Sequence, residues 1–228
     1  MTDSIIRSYA AFATDAIRSQ VFFEKYGRYR CSTFAEIKDL YGDPVHMSTN
    51  YLPGMLASHY LWPHHYEMLR WFRKEVLTAI GCPATYYDVG VGCGMYSRET
   101  LKAFPEISGS GFDLSEYSIA FAKQIIPTAA PNYGFVKADI FTMPYHEPAD
   151  FVTCQEVLEH VEDPFRLVCR LFGMVKPSGH AYITAAINAG HSDHIYLFQS
   201  PDEVRFIIQG AGWKILADRA EYAYVGKD

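Results

Sequence analysis

Tyr86-Tyr87-Asp88-Val89-Gly90-Val91-Gly92-Cys93-Gly94 is the stretch whose reading decides the fold. An apolar strand ends in an acid and runs straight into glycines at alternate positions, the pattern of a nucleotide-cradling turn in an α/β sheet. Glycine is needed there because the backbone bends through φ values that other residues resist and must let a ligand approach without a Cβ. The spacing narrows the ligand. A dinucleotide fingerprint wants glycines at the first, third and sixth positions, and the sixth position from Gly90 is Met95, which disfavours a pyrophosphate cofactor. The Asp88 carboxylate would repel phosphate and suits a cationic α-amino group. S-adenosylmethionine carries that amino group and a sulfonium, so it is the expected cofactor, held by Asp88, Gly90, Gly92 and Gly94.

Outward from this turn, short apolar runs alternate with amphipathic segments from Thr85 onward, the rhythm of a parallel sheet covered on both faces. Strands are expected at 86–89, 110–113, 133–138, 151–154, 180–185 and 213–218, with a weaker antiparallel one at 221–225. Helices are expected near 96–103, 115–126, 164–175 and 201–210, two of them opening on Ser115 and Ser200 with acidic first turns. Residues 1–83 differ. They are rich in Tyr, Phe, Trp and His, carry helical spacing in Ile17, Val21 and Phe22 and in Tyr66, Leu69, Phe72 and Val76, and are broken at Gly42-Asp43-Pro44 and Leu52-Pro53-Gly54. They read as a helical cap on a domain formed by residues 84–228.

Composition sets limits on function. A chain of 228 residues with 49% apolar content can bury a substantial core. A net charge of −6 argues against a surface that holds long runs of phosphate backbone, so nucleic acid is not the expected partner. No apolar run reaches membrane-spanning length, and Met1 to Ile17 lacks the basic-then-apolar layout of a signal peptide, so a cytoplasmic location is expected. Five cysteines without a Cys-x-x-Cys spacing suggest neither a disulfide framework nor a thiolate metal site. Cap aromatics such as Phe12, Phe22 and Phe23 leave room for a homodimer, or pack internally.

Ligands on such sheets lie at the carboxyl ends of the strands, where Asp88, Asp113, Asp139 and Gln155-Glu156 fall in succession. Asp113, in Gly111-Phe112-Asp113-Leu114, can accept from vicinal ribose hydroxyls. Asp139 can accept from an adenine amine, with Ile140 against the ring.

These features together resemble the class I S-adenosylmethionine-dependent methyltransferases over about residues 84–218. Gln155-Glu156-Val157-Leu158-Glu159-His160-Val161-Glu162-Asp163-Pro164 is similar to the segment after the fourth strand in the ubiquinone-pathway and small-molecule branch. Val175-Lys176-Pro177-Ser178-Gly179 resembles that family's Leu-Lys-Pro-Gly-Gly turn, departing at the first position and at Ser178. The resemblance implies a doubly wound, mostly parallel sheet of seven strands and transfer of a methyl group to a small-molecule acceptor, most simply on oxygen or nitrogen. The sulfonium already activates the methyl, so the protein has mainly to align nucleophile, carbon and sulfur.

The segment after the fourth strand allows a sharper reading. On a helix, Glu156, Glu159 and His160 stand at i, i+3 and i+4 and share one face, a donor mix suited to Mg²⁺ or Mn²⁺. Small-RNA 3′-terminal methyltransferases have a similar group completed by a histidine after the fifth strand, and His194 occupies a comparable place, with His191 as the spare candidate. The alternative has no metal: Glu156 meets cofactor or substrate, and His160, His194 or His191 serves as base. Of the cap histidines His46, His59, His64 and His65, the pair His64-His65 after Pro63 either reaches the pocket or packs as neutral rings, and Tyr51, Tyr60, Trp62 and Tyr66 shape an acceptor site, face a sulfonium or form the cap's core. Two other functions stay open: metal-dependent methylation of a nucleic-acid terminal ribose, and a non-catalytic S-adenosylmethionine-binding module.

Overall fold

The computed structural model describes residues 2–126, 131–144 and 146–223. The first part is helical: α1 (Thr2–Tyr26), α2 (Phe34–Gly42), α3 (Leu52–Leu61), α4 (Pro63–Trp71) and α5 (Leu77–Ala79). Two widened helical turns, His46–Tyr51 and Phe72–Val76, join them. There follow β1 (Thr85–Val89), α6 (Met95–Ala103), β2 (Ser108–Asp113), α7 (Glu116–Ile125), β3 (Tyr133–Lys137), β4 (Ala149–Cys154), α8 (Pro164–Phe172), β5 (Val175–Ile183) and α9 (Pro201–Gly210).

All strand pairs are parallel, in the order β3-β2-β1-β4-β5. The order reverses between β1 and β4, and the crevice at that switch point is where an open α/β sheet binds ligands. Alternate side chains divide the core into two layers, as strand geometry requires. On one face Val89, Phe112, Val152 and Cys154 pack with Leu167, Val168 and Leu171 of α8 and with partly buried Ile207 and Ile208 of α9. On the other, Tyr86, Phe151 and Tyr182 pack with Leu101 of α6 and with Phe72 and Leu77 of the cap.

The doubly wound parallel fold is as expected, with five strands among the described residues in place of seven. Residues 213–218 form no strand. Trp213 instead lays its ring edge-on against Phe172 with centroids 5.2 Å apart, its indole N–H donates to the Val168 carbonyl at 3.3 Å, and Leu216 stays exposed. The antiparallel strand expected at 221–225 makes no ladder over 221–223, and the remainder lies outside the described residues. Helix starts follow their capping residues: the Asp163 carboxylate accepts from Arg166 N–H at 2.9 Å, and Ser200 Oγ accepts from Glu203 N–H at 3.3 Å.

The cap is fastened to the sheet by aromatic packing. Phe72, fully buried, has its ring centroid 4.9 Å from Tyr96, 5.0 Å from Tyr182 and 6.4 Å from Phe151. Beside it, Arg73 Nε donates to Glu99 Oε2 of α6 at 2.8 Å. Phe72→Ala is expected to cost about 3–5 kcal/mol, since the site is too crowded to collapse; a urea midpoint shift measures it. Phe12, proposed above for a dimer surface, is buried against Tyr51 and Trp62 and cannot serve an interface.

Candidate active site

Gly90, Gly92 and Gly94 have φ of 75°, 53° and 76°, so the turn after β1 needs glycine at each alternate position. A Cβ on Gly90 would collide with Val157, and one on Gly94 would lie 2.8 Å from Ala122. The turn is held from the next strand: Gly90 N–H donates to the Phe112 carbonyl at 2.8 Å, and Gly92 N–H donates to Asp113 Oδ2 at 2.9 Å. Asp113 Oδ1 accepts from Ser115 N–H at 2.8 Å.

A cavity of about 1050 Å³ opens in front of this turn and runs under the cap. Gly90, Gly92, Asp113, Leu114, Asp139, Ile140, Gln155, Glu156, Glu159, His160, His191 and His194 all line it. The predicted residues of four strand ends therefore meet in one space large enough for a nucleoside-sized ligand and a second small molecule. Gln155 Nε2 is buried without a partner, a donor waiting for a ligand. Asp139 Oδ1 accepts from Phe141 N–H at 2.8 Å, which fixes the loop after β3.

Asp88 departs from expectation. Its side chain turns beneath α6, where Ser97 Oγ donates to it at 2.5 Å and Thr153 Oγ1 at 2.8 Å, and it does not line the cavity. Burial pushes its pKa up to about 6 despite these hydrogen bonds. Asp88 thus anchors the turn from behind and is not placed to meet an α-amino group. Gly94 likewise begins α6 behind the cavity wall.

The segment after β4 is not an α-helix. Glu156 sits at φ 49° and only Leu158–His160 form a short tight turn. Glu156 is drawn aside: Thr184 Oγ1 donates to its carboxylate at 2.6 Å. The group that does converge is Glu159, His160 and His194, whose ligating atoms lie within 4.8 Å of one another. Both imidazoles are fixed by Nδ1, His160 on the Asp193 carbonyl at 2.9 Å and His194 on the Ala189 carbonyl at 2.7 Å, which leaves each Nε2 free. This is how ligating histidines are held in metal sites. Glu159 is fully buried and neither carboxylate oxygen has a partner. Burial, then the neighbouring Glu156, raises its pKa well above the ordinary value. His194 is pushed down to about 3 by burial, then by His160.

His191 is differently placed. Its Nδ1 lies 2.6 Å from Asp193 Oδ1 and its Nε2 lies 3.3 Å from Asp15 Oδ2 of α1. Burial opposes protonation, yet the two carboxylates raise its pKa. Nδ1 is thus committed to Asp193, whereas Nε2 faces Asp15 without a hydrogen bond and the ring lines the cavity. Burial likewise opposes ionisation of Asp193, and the imidazoles of His160 and His191 nevertheless hold its pKa well below the carboxylate range. Tyr41 of α2 joins this network, its hydroxyl donating to Asp193 Oδ2 at 3.1 Å with His160 Nδ1 at 3.2 Å. Gln20 Oε1 of α1 accepts from Gly190 N–H at 2.8 Å. No spacing or motif marks Tyr41, Asp15 and Gln20 as site residues; long-range packing brings them in. Asp193 had a signal, standing between two candidate histidines.

Residues 87–183 match the family described as a methyltransferase domain. A ubiquinone biosynthesis O-methyltransferase of Hydrogenovibrio crunogenus is 29% identical over 122 residues, which cover 53% of this chain and 49% of that protein. The chain spans about half the length, or less, of the curated relatives it matches. Human N-acetylserotonin methyltransferase, solved in complex with S-adenosylmethionine, superposes with a TM-score of 0.64 at 17% identity, covering 92% of this chain and 64% of that one. An O-methyltransferase family protein from Burkholderia thailandensis gives a TM-score of 0.64 at 14% identity, covering 82% of this chain and 60% of the other. At these identities the likeness to solved structures is one of fold.

Proposed function

We infer the activity from one premise, that this chain belongs to the class I S-adenosylmethionine-dependent methyltransferases: it transfers a methyl group from S-adenosylmethionine to an oxygen or nitrogen of a small-molecule acceptor. The observation that carries this reading is the single cavity joining the glycine turn and Asp113 to the histidines beneath the cap. Residues at the turn fit the methyl donor: a cradle that a Cβ would fill at Gly90 and Gly92, the Asp113 carboxylate, and the unpartnered Gln155 amide. When bound, the donor supplies a methyl made electrophilic by the sulfonium. Asp113 would hold its ribose, and Asp139 and Ile140 its adenine. His160, with Nδ1 anchored on the Asp193 carbonyl, would take a proton from an acceptor hydroxyl or amine. The cap, residues 1–83, would exclude water and shape the acceptor site. All five cysteines are free thiols, in keeping with a reducing cytoplasm, and no helix is long and apolar enough to cross a membrane.

A metal-assisted version of this reaction is favoured by one observation, the buried Glu159 carboxylate with no partner beside two histidines that present free nitrogens. Two imidazole nitrogens and one carboxylate suit Mn²⁺ better than oxygen-seeking Mg²⁺. Glu159, His160 and His194 would hold the ion, and it would supply Lewis acidity toward an acceptor oxygen. The net charge of −6 keeps a small molecule ahead of a nucleic-acid end as the acceptor.

Release of labelled methyl onto a panel of phenols, amines and acids, with and without chelator, tests both versions. Turnover on one class, abolished by Gly92→Val, is expected, because that substitution puts a branched side chain at φ 53° with Met55 Sδ already 3.3 Å from the Cβ position. A protein that binds the donor yet methylates none of them would count against enzymatic function and favour a binding module.

A further inference from the structure

The cap histidines have no place in the chemistry so far, and hydrogen-bond accounting fixes what two of them offer. Ser58 is fully buried and its hydroxyl donates to the Met55 carbonyl at 2.7 Å. That uses its one hydrogen. His65 Nδ1, 2.8 Å from the same Oγ, must therefore be the donor in that contact. His59 Nδ1 lies 2.9 Å from the Met55 carbonyl, which only accepts, so this ring too carries its proton on Nδ1. Both rings are left with a lone pair on Nε2. Both rings line the cavity, and the hydrogen bonds described for them run through Nδ1.

Burial keeps the two rings neutral: His59 is pushed down to about 4, and His65 well below its ordinary value by burial and then by His59 and His64. Their ring centroids are 5.6 Å apart. Around them stand Trp62, His64, Trp71 and Tyr96, and Met55 joins them to the glycine turn at Gly92. The buried Nδ1 of His64 is unpartnered. This wall accepts hydrogen bonds, and beyond burial the positive charges that act on it, Arg73 on His59 and His191 on His65, already depress those rings' pKa. An anionic group would still meet the lone pairs of two neutral rings, and a ligand without donors would leave both Nε2 acceptors unpaired, an arrangement that rejects close analogues.

We propose that His59 and His65 form the acceptor-recognising wall of the cavity and select an uncharged aromatic or heteroaromatic molecule that presents O–H or N–H groups to their Nε2 atoms. This rests on the methyl-transfer reading, and it names the class of acceptor that reading leaves open.

The probes are phenol, anisole and benzoate, titrated by calorimetry into the full chain with and without saturating S-adenosylhomocysteine. Phenol is expected to bind about tenfold tighter than either of the others, as one hydrogen bond warrants. The preference should fall to near unity in the H59F/H65F double variant and persist in His65→Gln, whose amide oxygen can still accept. Affinity for S-adenosylhomocysteine should be unchanged in all of them. Phenol that fails to bind, or binds no better than anisole or benzoate, overturns the proposal, as does a preference that survives the double substitution. Should the double variant not fold, ¹⁵N-histidine spectra of the unaltered protein decide: both rings are expected as neutral Nδ1–H tautomers at pH 7, and an Nε2–H signal for either overturns it. Loss of S-adenosylhomocysteine binding by the unaltered protein would fall on the methyl-donor reading alone, because the probe preference is read without it.

Discussion

Asp113→Ala is expected to lower affinity for S-adenosylhomocysteine at least about 100-fold and to destabilise the unliganded protein. The carboxylate accepts from the N–H groups of Gly92 and Ser115, at 2.9 and 2.8 Å, the Ser118 hydroxyl also bonds to it, and it lines the cavity. Removing it deletes the acceptors for two ribose hydroxyls, worth about 1.5–3 kcal/mol each when the acceptor is charged. It also leaves two backbone donors unpaired, at about 1–3 kcal/mol for each that water cannot reach. Asp113→Asn should recover part of the stability but little affinity, because its amide would set a donor against one of those N–H groups. Calorimetric titration and thermal unfolding of the three proteins measure both effects. Affinity within twofold of the unaltered protein would remove Asp113 from the donor site.

Glu159→Met should make the metal-free protein more stable, by about 1–3 kcal/mol, while abolishing any response to divalent ions. A fully buried carboxyl with two unpartnered oxygens is costly to retain, and an apolar side chain of similar volume removes that cost. The pH dependence gives a second handle. The folded-state pKa of Glu159 is raised by burial and by Glu156, so between the unfolded value near 4.5 and the folded one the native state holds a proton that the unfolded chain has released. Stability from this group is therefore complete below about pH 4.5 and is lost as pH rises through the raised value. Unfolding in chelator should show that decline; it should be absent in Glu159→Met and reversed by Mn²⁺ in the unaltered protein. A Glu159→Met variant less stable than its parent in chelator, or one still stabilised by Mn²⁺, would rule out the metal-holding role.

The parallel sheet was legible because its signals are local. The run from Tyr86 to Gly94 specifies a strand and a turn by residue type alone, and the acids at 113 and 139 fall where the strand ends must be. The orientation of Asp88 was not legible, since whether a strand-end acid faces ligand or layer depends on Ser97 and Thr153, which reach it from elsewhere in the fold. The expected group was Glu156, Glu159 and His160 on one helix face, completed by His194; the structure brings Glu159, His160 and His194 together on a short tight turn. A helix was expected to align Glu156 with them, and the positive φ of Glu156 with its contact to Thr184 sends that residue elsewhere. Tyr41 and Asp15 enter through long-range packing that no spacing encodes, while the segment 213–218 is drawn to α8 by the contact of Trp213 with Phe172.

The grip of α1 on the 189–194 loop has a kinetic meaning. Gln20 and Gly190 are 170 positions apart, and the Cβ position of Gly190 lies only 2.6 Å from the Ser19 backbone, so little but glycine fits the crossing. Such a distant closure is entropically expensive and belongs late in folding. On the ribosome the cap and the first strands can be in place long before the histidine loop emerges. The histidine loop would then settle only once residues 19–20 and 190 are both free to meet, so its order reports on the long-range closure and not on the local chain.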